Sequence, residues 1–319
     1  IGSTGVVLNI GKYITEEDIH EDVMALCDDH QFPLFTMPWR IRLSDITQDF
    51  LYSIFLTKQK EYEIVDACKQ LFFEQHQTEA VNRLKLHGFT ERGHYQVIAL
   101  YFSTISSIEQ LQTLITSYKY ILNEQGAKYI VFPIKKTIFL MIKSDNPDET
   151  MHVMQNLYAQ LHEREDMKPV IGSSMVVPML QELATAYKQA VCAVTWAHVH
   201  GKSCQYFGAL GVYALLFSQR NDLAMRELHD KMLGPVLQYD AMHKRDLFGT
   251  LESYIAHNGS IQAVAQETYA HRNTVAYRIQ KIEKLLQCDL SAEDTRFTYY
   301  LACHIHRYFQ IIKNKYEIL

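Results

Sequence analysis

Apolar positions in this chain recur at two spacings, and the changes between them mark the expected elements. Gly5–Ile10 is a continuous apolar run that reads as a buried strand. Thr15 is placed to cap a helix reaching about Asp29, with Glu16, Glu17 and Asp18 in the first turn, where the helix dipole favours acids. Phe32–Met37 reads as a short strand ended by Pro38, which completes a β-α-β unit. A long helical stretch from about Ser44 to Lys85 follows, with Ile54, Ile64, Val65, Cys68, Leu71 and Phe72 set among charged residues. Its heptad pattern is short and fits a connector, a dimer-forming element or simple packing against its own domain equally well.

Elements then alternate. Gln96–Phe102 is an expected strand and Ser107–Leu122 a helix; Lys128–Pro133 and Thr137–Lys143 form a strand pair across a short turn. Asp148–His162 is a helix, Pro169–Met175 a strand and Leu180–His200 a helix, with Leu180, Leu183, Ala184, Tyr187, Ala190, Val191 and Val194 as its core-facing stripe. This β-α-β-β-α-β order is that of a split β-α-β, ferredoxin-like sheet with one further helix. Asn221–Lys244 reads as a polar, helix-prone linker broken at Gly234-Pro235. From there on the pattern is helical throughout.

In that last region Leu247, Leu251, Tyr254 and Ile255 lie on one face of a helix, and Asn258-Gly259 stops it, since both residues tolerate the left-handed backbone. Ser260 caps a short helix over Ile261–Thr268. After Tyr269-Ala270-His271 comes a longer helix with Val275, Ile279, Ile282, Leu285 and Leu286 on its inner face. A short helix, a tight turn and a longer helix are the plan of a helix-turn-helix. A final helix is expected after Ser291, with Phe297, Leu301 and Ile305 inside.

Composition narrows the classes. The 319 residues suffice for two or three domains. The longest apolar runs, Val97–Phe102 and Ile138–Ile142, are far short of the roughly 20 residues of a membrane helix. No charged-then-apolar leader opens the chain, so no membrane partner and a cytoplasmic location are expected. Because the chain starts inside a strand-like run, an N-terminal piece of the first domain is expected to be missing. The six cysteines form no Cys-x-x-Cys pair and are read as reduced and mostly buried. Cys303, His304 and His306 are close in sequence but point apart on a helix, so neither a metal nor a cofactor is expected.

The net charge is −5, yet His271–Lys284 carries Arg272, Arg278, Lys281 and Lys284 against the single acid Glu283, a local +3. On the outer face of the expected third helix, Asn273, Tyr277, Lys281 and Lys284 form one row, Thr274, Arg278 and Lys281 its neighbour, and Arg272 stands at the start. Such cations neutralise phosphates or bind guanine edges, and asparagine pairs with adenine. Spacing alone fits a solvated basic face equally well.

The segment Asn258–Leu290, NGSIQAVAQETYAHRNTVAYRIQKIEKLLQCDL, resembles the C-terminal helix-turn-helix of the PucR/CdaR family of bacterial transcription regulators. The signature is His271-Arg272-Asn273-Thr274, then Tyr277-Arg278; Thr268 and Ala270 depart from the family pattern at core positions of the turn. The middle region is similar in element order to the palm of GGDEF-type nucleotide cyclases. Such enzymes need carboxylates and glycines to hold metal and triphosphate. Here the first strand ends Leu100-Tyr101-Phe102-Ser103 and the hairpin turn reads Pro133-Ile134-Lys135-Lys136-Thr137, without either. The region instead resembles the degenerate GGDEF-like domain of PucR-type regulators, with Ile171-Gly172-Ser173, Ala186–Ala190 and Tyr206–Leu216 at corresponding places. Phe32–Phe35, Met37–Arg40 and Leu43–Ile46 resemble the end of a PucR-type sensor domain.

The expected fold class is therefore α+β and multidomain. A partial α/β sensor domain spans residues 1–55, a connecting helix 56–88, a ferredoxin-like, palm (GGDEF-like) domain 89–220, a linker 221–243 and an all-α helix-turn-helix domain 244–319. The resemblance implies a non-enzymatic, sequence-specific DNA-binding regulator of catabolic genes, acting on double-stranded DNA as a homodimer or higher homo-oligomer. A small-molecule effector, drawn from purine-degradation intermediates, amino acids or sugar acids, would control it. The sign of regulation is open in the residues; activation is the sense the family suggests. Arg272, Asn273, Thr274, Tyr277 and Arg278 would set sequence preference, and Lys281 and Lys284 affinity. Trp39, Arg40 and Arg42 either line an effector pocket or are a buried aromatic beside surface arginines. The alternative to a regulator is a metabolite- or nucleotide-binding module without DNA activity, which a covered outer face on Asn273–Lys284 would favour.

Overall fold

The computed structural model describes residues 4–73, 76–105, 107–124, 128–144, 146, 155, 156, 159, 168–218 and 223–318. The chain divides into two compact units, Ile1–Ile64 and Val65–Leu319.

In the first unit β1 (Val6–Ile10) pairs in parallel with β2 (Leu34–Pro38), and α1 (Glu21–Asp29) provides the crossover. The expected single helix from Thr15 is two pieces. Thr15 caps only a 3₁₀ turn, Glu16–Asp18; its backbone N–H and hydroxyl both donate to Asp18 Oδ2 at 2.8 Å, and Ile19 leaves the helix in an extended conformation. Those two bonds hold the Asp18 carboxyl below the usual range. Trp39, Arg40 and Arg42 are exposed: Trp39 meets Tyr13 edge-on at 5.4 Å, with Lys12 Nζ 4.9 Å from each ring. A groove of this unit, about 510 Å³, is lined by Met24, Cys27, Asp28, Gln31, Phe32, Pro33 and Leu34, none of them one of those three.

The helical stretch expected from Ser44 to Lys85 is two helices, α2 (Leu43–Phe72) and α3 (Gln77–Leu86), with His76 in the left-handed conformation ahead of the second. Only the last turns of α2, from Ala67 to Phe72, are buried. They belong to the second unit, where Phe72 stacks on Tyr187 at 4.6 Å and meets Phe132 at 5.5 Å.

The sheet of the second unit is built from β3 (Arg92–Tyr101), β4 (Lys128–Ile134), β5 (Thr137–Ser144), β6 (Val170–Ser173), β7 (Val177–Met179) and β8 (Cys204–Tyr206). Its order is β4-β5-β3-β6-β8. Each neighbouring pair among the first four is antiparallel, which is the ferredoxin-like arrangement, and β8 adds in parallel to β6. Strand alternation divides the core. Ile98, Leu100, Ile138, Leu140 and Ile142 pack under α4 (Ile108–Glu124) through Leu111, Leu114, Tyr118 and Leu122. The opposite face carries α5 (Leu183–Val199). Gly172 lies beneath this helix so closely that a Cβ would stand 2.1 Å from Val194 N. The strand expected over Pro169–Met175 is shorter, and β7 and β8 were not foreseen. The helix expected over Asp148–His162 lies outside the described residues except at 155, 156 and 159.

After α6 (Val212–Ser218), the stretch read as a broken linker is one continuous helix, α7 (Leu223–His243), with Pro235 inside it. An internal proline costs roughly 3 kcal/mol. Full burial of Leu233 and Val236, at roughly 1.5–3 kcal/mol each, offsets that. They sit in the core of the C-terminal helices α8 (Leu247–Ala256), α9 (Ile261–Glu267), α10 (Arg272–Leu286) and α11 (Glu293–Ile318). Asp240 of α7 also caps α8, accepting from Leu247 N at 2.9 Å and Phe248 N at 2.8 Å. On α11, Phe297 is 69% exposed rather than inside; Tyr299, Ala302, Cys303 and Ile305 form the buried stripe. A second cluster joins α11 to the sheet domain: Ile305, Tyr308 and Ile311 pack with Cys192, Ala193, Phe207, Leu210 and Tyr213.

All six cysteines are free, and burial pushes the Cys68 and Cys303 thiols up. Cys303, His304 and His306 diverge: Cys303 enters the core, His304 meets the Tyr213 hydroxyl at 3.0 Å, and His306 Nδ1 lies 2.9 Å from His229 Nε2. No helix among the described residues is long and apolar enough to cross a membrane.

Candidate DNA-binding site

Local chemistry shapes the two helices of the motif. Asn258 and Gly259 take φ of 53° and 84°, which reverses the chain after α8. Ser260 Oγ then accepts from Ala263 N at 3.3 Å and starts α9. Tyr269, at φ 51°, makes the turn to α10 and is 98% exposed. His271 is the N-cap of α10, its Nδ1 accepting from Asn273 N at 3.3 Å. Val264 of α9 and Val275, Ile279 and Ile282 of α10 are buried against α7, α8 and α11, so the inner face is fixed by packing.

Arg272, Asn273, Thr274, Tyr277 and Lys284 are exposed, Tyr277 by 70%. With Gln280 they line the side of α10 away from the core. Glu283, the one acid of the segment, turns to the chain that follows: its Oε1 accepts from Leu290 N at 3.1 Å. No ion pair among the described residues engages Arg272 or Lys284.

Arg278 and Lys281 stand differently from the sequence expectation of an open outer face. Both are half-buried. Arg278 Nη1 donates to Thr250 Oγ1 of α8 at 3.3 Å, and Lys281 Nζ lies 5.0 Å from the Tyr239 ring of α7. Helical period alone places them on a polar face, but the neighbouring helices reach round to them. Thr250 and Tyr239 were missed by sequence reading because their relation to α10 is tertiary, whereas Tyr269 makes the turn where it was expected.

Among the described residues the sheet domain presents no comparable basic group. At the place of a cyclase centre, Phe102 N donates to Lys136 O at 3.1 Å, closing the end of β3 onto the Lys135-Lys136 turn. Among the described residues no three histidine, cysteine or acidic side chains are grouped to hold a metal ion.

Residues 247–305 match the PucR C-terminal helix-turn-helix domain, and residues 74–195 match the GGDEF-like domain. The chain belongs to the PucR/CdaR family of bacterial transcriptional regulators. Among its relatives is the proline-responsive transcriptional activator PutR of Bacillus subtilis (strain 168), 25% identical over 284 residues, covering 81% of this chain and 68% of that protein. The DNA-binding transcriptional activator AdeR of the same organism is 23% identical, over 50% of this chain and 39% of its own length. The carbohydrate diacid regulator of Escherichia coli (strain K12) is 30% identical over 103 residues, 32% of this chain and 26% of that protein. The PucR-type helix-turn-helix makes this chain a DNA-binding transcriptional regulator, and α9–α10 is its motif.

Proposed function

We propose that this PucR-family chain reads double-stranded DNA with α10 and activates catabolic genes under the control of a small metabolite. The carrying observation is the exposed group Arg272, Asn273, Thr274 and Tyr277 on the first turns of α10, beside a basic flank of Arg278, Lys281 and Lys284. In helix-turn-helix proteins the N-terminal residues of the second helix reach base edges, and a lone module binds weakly, so two half-sites are read by a dimer or higher homo-oligomer. On this reading Arg272, Asn273, Thr274 and Tyr277 set sequence preference. The half-buried Arg278 and Lys281, together with Lys284, contact phosphates and set affinity.

The effector is a small organic metabolite. The responsiveness of PutR to proline favours an amino acid over a purine-degradation intermediate, and the name of the carbohydrate diacid regulator keeps sugar acids as the next class. The GGDEF-like domain acts as a structural coupler: α11 of the reading domain shares a core cluster with it. A covered outer face on α10 would have favoured a binding module without DNA activity; the exposure of Asn273, Tyr277 and Lys284 supports the regulator reading instead.

The test is a titration of the full chain with DNA from its own gene neighbourhood and with random-sequence DNA, in the presence and absence of proline, a purine-degradation intermediate and a sugar diacid. A preference for the neighbouring DNA that one metabolite shifts supports the proposal. Equal affinity for both DNAs under every condition refutes it.

A further inference from the structure

Arg278 is held in an unusual way for a basic residue on a recognition helix. Its Nη1 donates to Oγ1 of Thr250 at 3.3 Å, and Thr250 is only 3% exposed on the first turn of α8. The Thr250 hydroxyl proton is committed elsewhere, to Asp246 O at 3.0 Å, which leaves an oxygen lone pair facing the guanidinium. Asp246 is in turn fixed as the N-cap of α8, accepting from Gly249 N at 2.9 Å. The order Asp246–Thr250–Arg278 therefore runs from a helix cap, through a buried hydroxyl, to the flank of α10.

A guanidinium presents five N–H donors in a rigid fork. One donor suffices to anchor it, and the rest of the fork serves an anion with little further loss of rotamer freedom. Lys281, one turn further along, lies over Tyr239, so two neighbouring cations are both braced from behind by other helices. Contacts of this kind suit the DNA backbone, whose phosphates fix register without carrying sequence.

We infer that Thr250 is a positioning residue: its hydroxyl holds Arg278 preorganised as a phosphate clasp at the flank of the recognition helix. This rests on reading α10 as the recognition helix. The experiment measures affinity of the full chain for a random-sequence duplex as a function of salt, for wild type, Thr250→Val, Thr250→Ser, Arg278→Ala and the double variant Thr250→Val/Arg278→Ala. Thr250→Val keeps the side-chain shape and removes the hydroxyl. It is expected to weaken binding roughly three- to tenfold, the net worth of one hydrogen bond. It should also make the salt dependence shallower by up to about 0.9 in log–log slope, one phosphate's share. Thr250→Ser restores both, and in the Arg278→Ala background Thr250→Val has no further effect on DNA binding.

Thermal midpoints are taken alongside, and Thr250→Ala replaces Thr250→Val should the latter not fold. Wild-type affinity and slope in the hydroxyl-less variant overturn the inference, as does an equal loss in the presence and absence of Arg278, which marks a merely structural threonine. The proposed function is judged separately, on the ratio of affinities for native and random DNA. A chain that discriminates without Thr250–Arg278 coupling loses only the clasp. One that shows the coupling without discriminating loses only the specific function. A chain that binds no duplex at low salt loses both.

Discussion

Replacing Gly172 by alanine perturbs the interface on which both parts of the second unit depend. Gly172 pairs with Ala99 on one side and Gln205 on the other, in the middle of β6. A methyl group there would stand 2.1 Å from Val194 N, 2.6 Å from Ala190 O and 2.6 Å from Val194 Cα, all backbone atoms of α5. Carbon contacts are comfortable at roughly 3.5–4 Å, so the helix has to withdraw by more than an ångström. Overpacked cores usually lose about 1–3 kcal/mol; here no flexible side chain yields, so the upper end, about 3 kcal/mol, is expected. For a cooperative unit of this size that is roughly 6–12 °C in thermal midpoint. The same helix packs on α11 through Cys192 and Ala193, so the reading domain should loosen with it. Thermal unfolding followed by circular dichroism, with DNA affinity measured well below the midpoint, is the assay. A midpoint within about 2 °C of wild type would show that α5 does not sit on the sheet as closely as described.

Leu251→Ala, at a fully buried position between α7 and α10, should cost about 2–5 kcal/mol in urea unfolding; a loss below about 1 kcal/mol would contradict the described core. Ser260→Ala removes the cap of α9 and should cost about 0.5–1 kcal/mol, the lower half of the usual range because the bond is 3.3 Å long; an unchanged denaturation midpoint would show that the cap is not made. Burial and the neighbouring His229 hold His306 below the ordinary histidine range, and burial does the same for His304. The unfolded chain therefore takes up protons at a higher pH than the folded one. Stability is full above about pH 6.5 and falls as pH drops from there through the lower folded values. Melting curves at about pH 7.5 and 5.5 should show a smaller acid-induced drop in His306→Gln than in wild type; equal drops would contradict the burial argument.

Local signals were enough to read the helix-turn-helix. Asn258-Gly259, Ser260 and the Val275–Ile279–Ile282 stripe each act within one or two turns, and the structure keeps all of them. The ferredoxin-like order was legible for the same reason: its longer strands alternate or are continuously apolar. The three-residue strands β7 and β8 are too short to show a period. Gly234-Pro235 is a sound break signal that lost to tertiary burial of the residues beside it, Leu233 and Val236. Arg278 was misplaced because a helical wheel shows which residues share a face, not which neighbouring helix covers it; Thr250, 28 positions away, holds it. Phe297 was misplaced for the converse reason: an apolar residue at helical spacing was assigned to the core, whereas no neighbouring element covers it, and the buried face of α11 begins at Tyr299.

The central claim is that α10 reads sequence. Its most direct test is selection of binding sites from a random duplex pool by the full chain, followed by affinity measurements on the selected and scrambled duplexes at two salt concentrations. The account predicts a preference of at least about a thousandfold that persists as salt rises, and its loss on replacing Asn273 and Tyr277 while Lys284→Ala weakens both duplexes alike. No enriched sequence, or a preference untouched by changes at Asn273 and Tyr277, would contradict it.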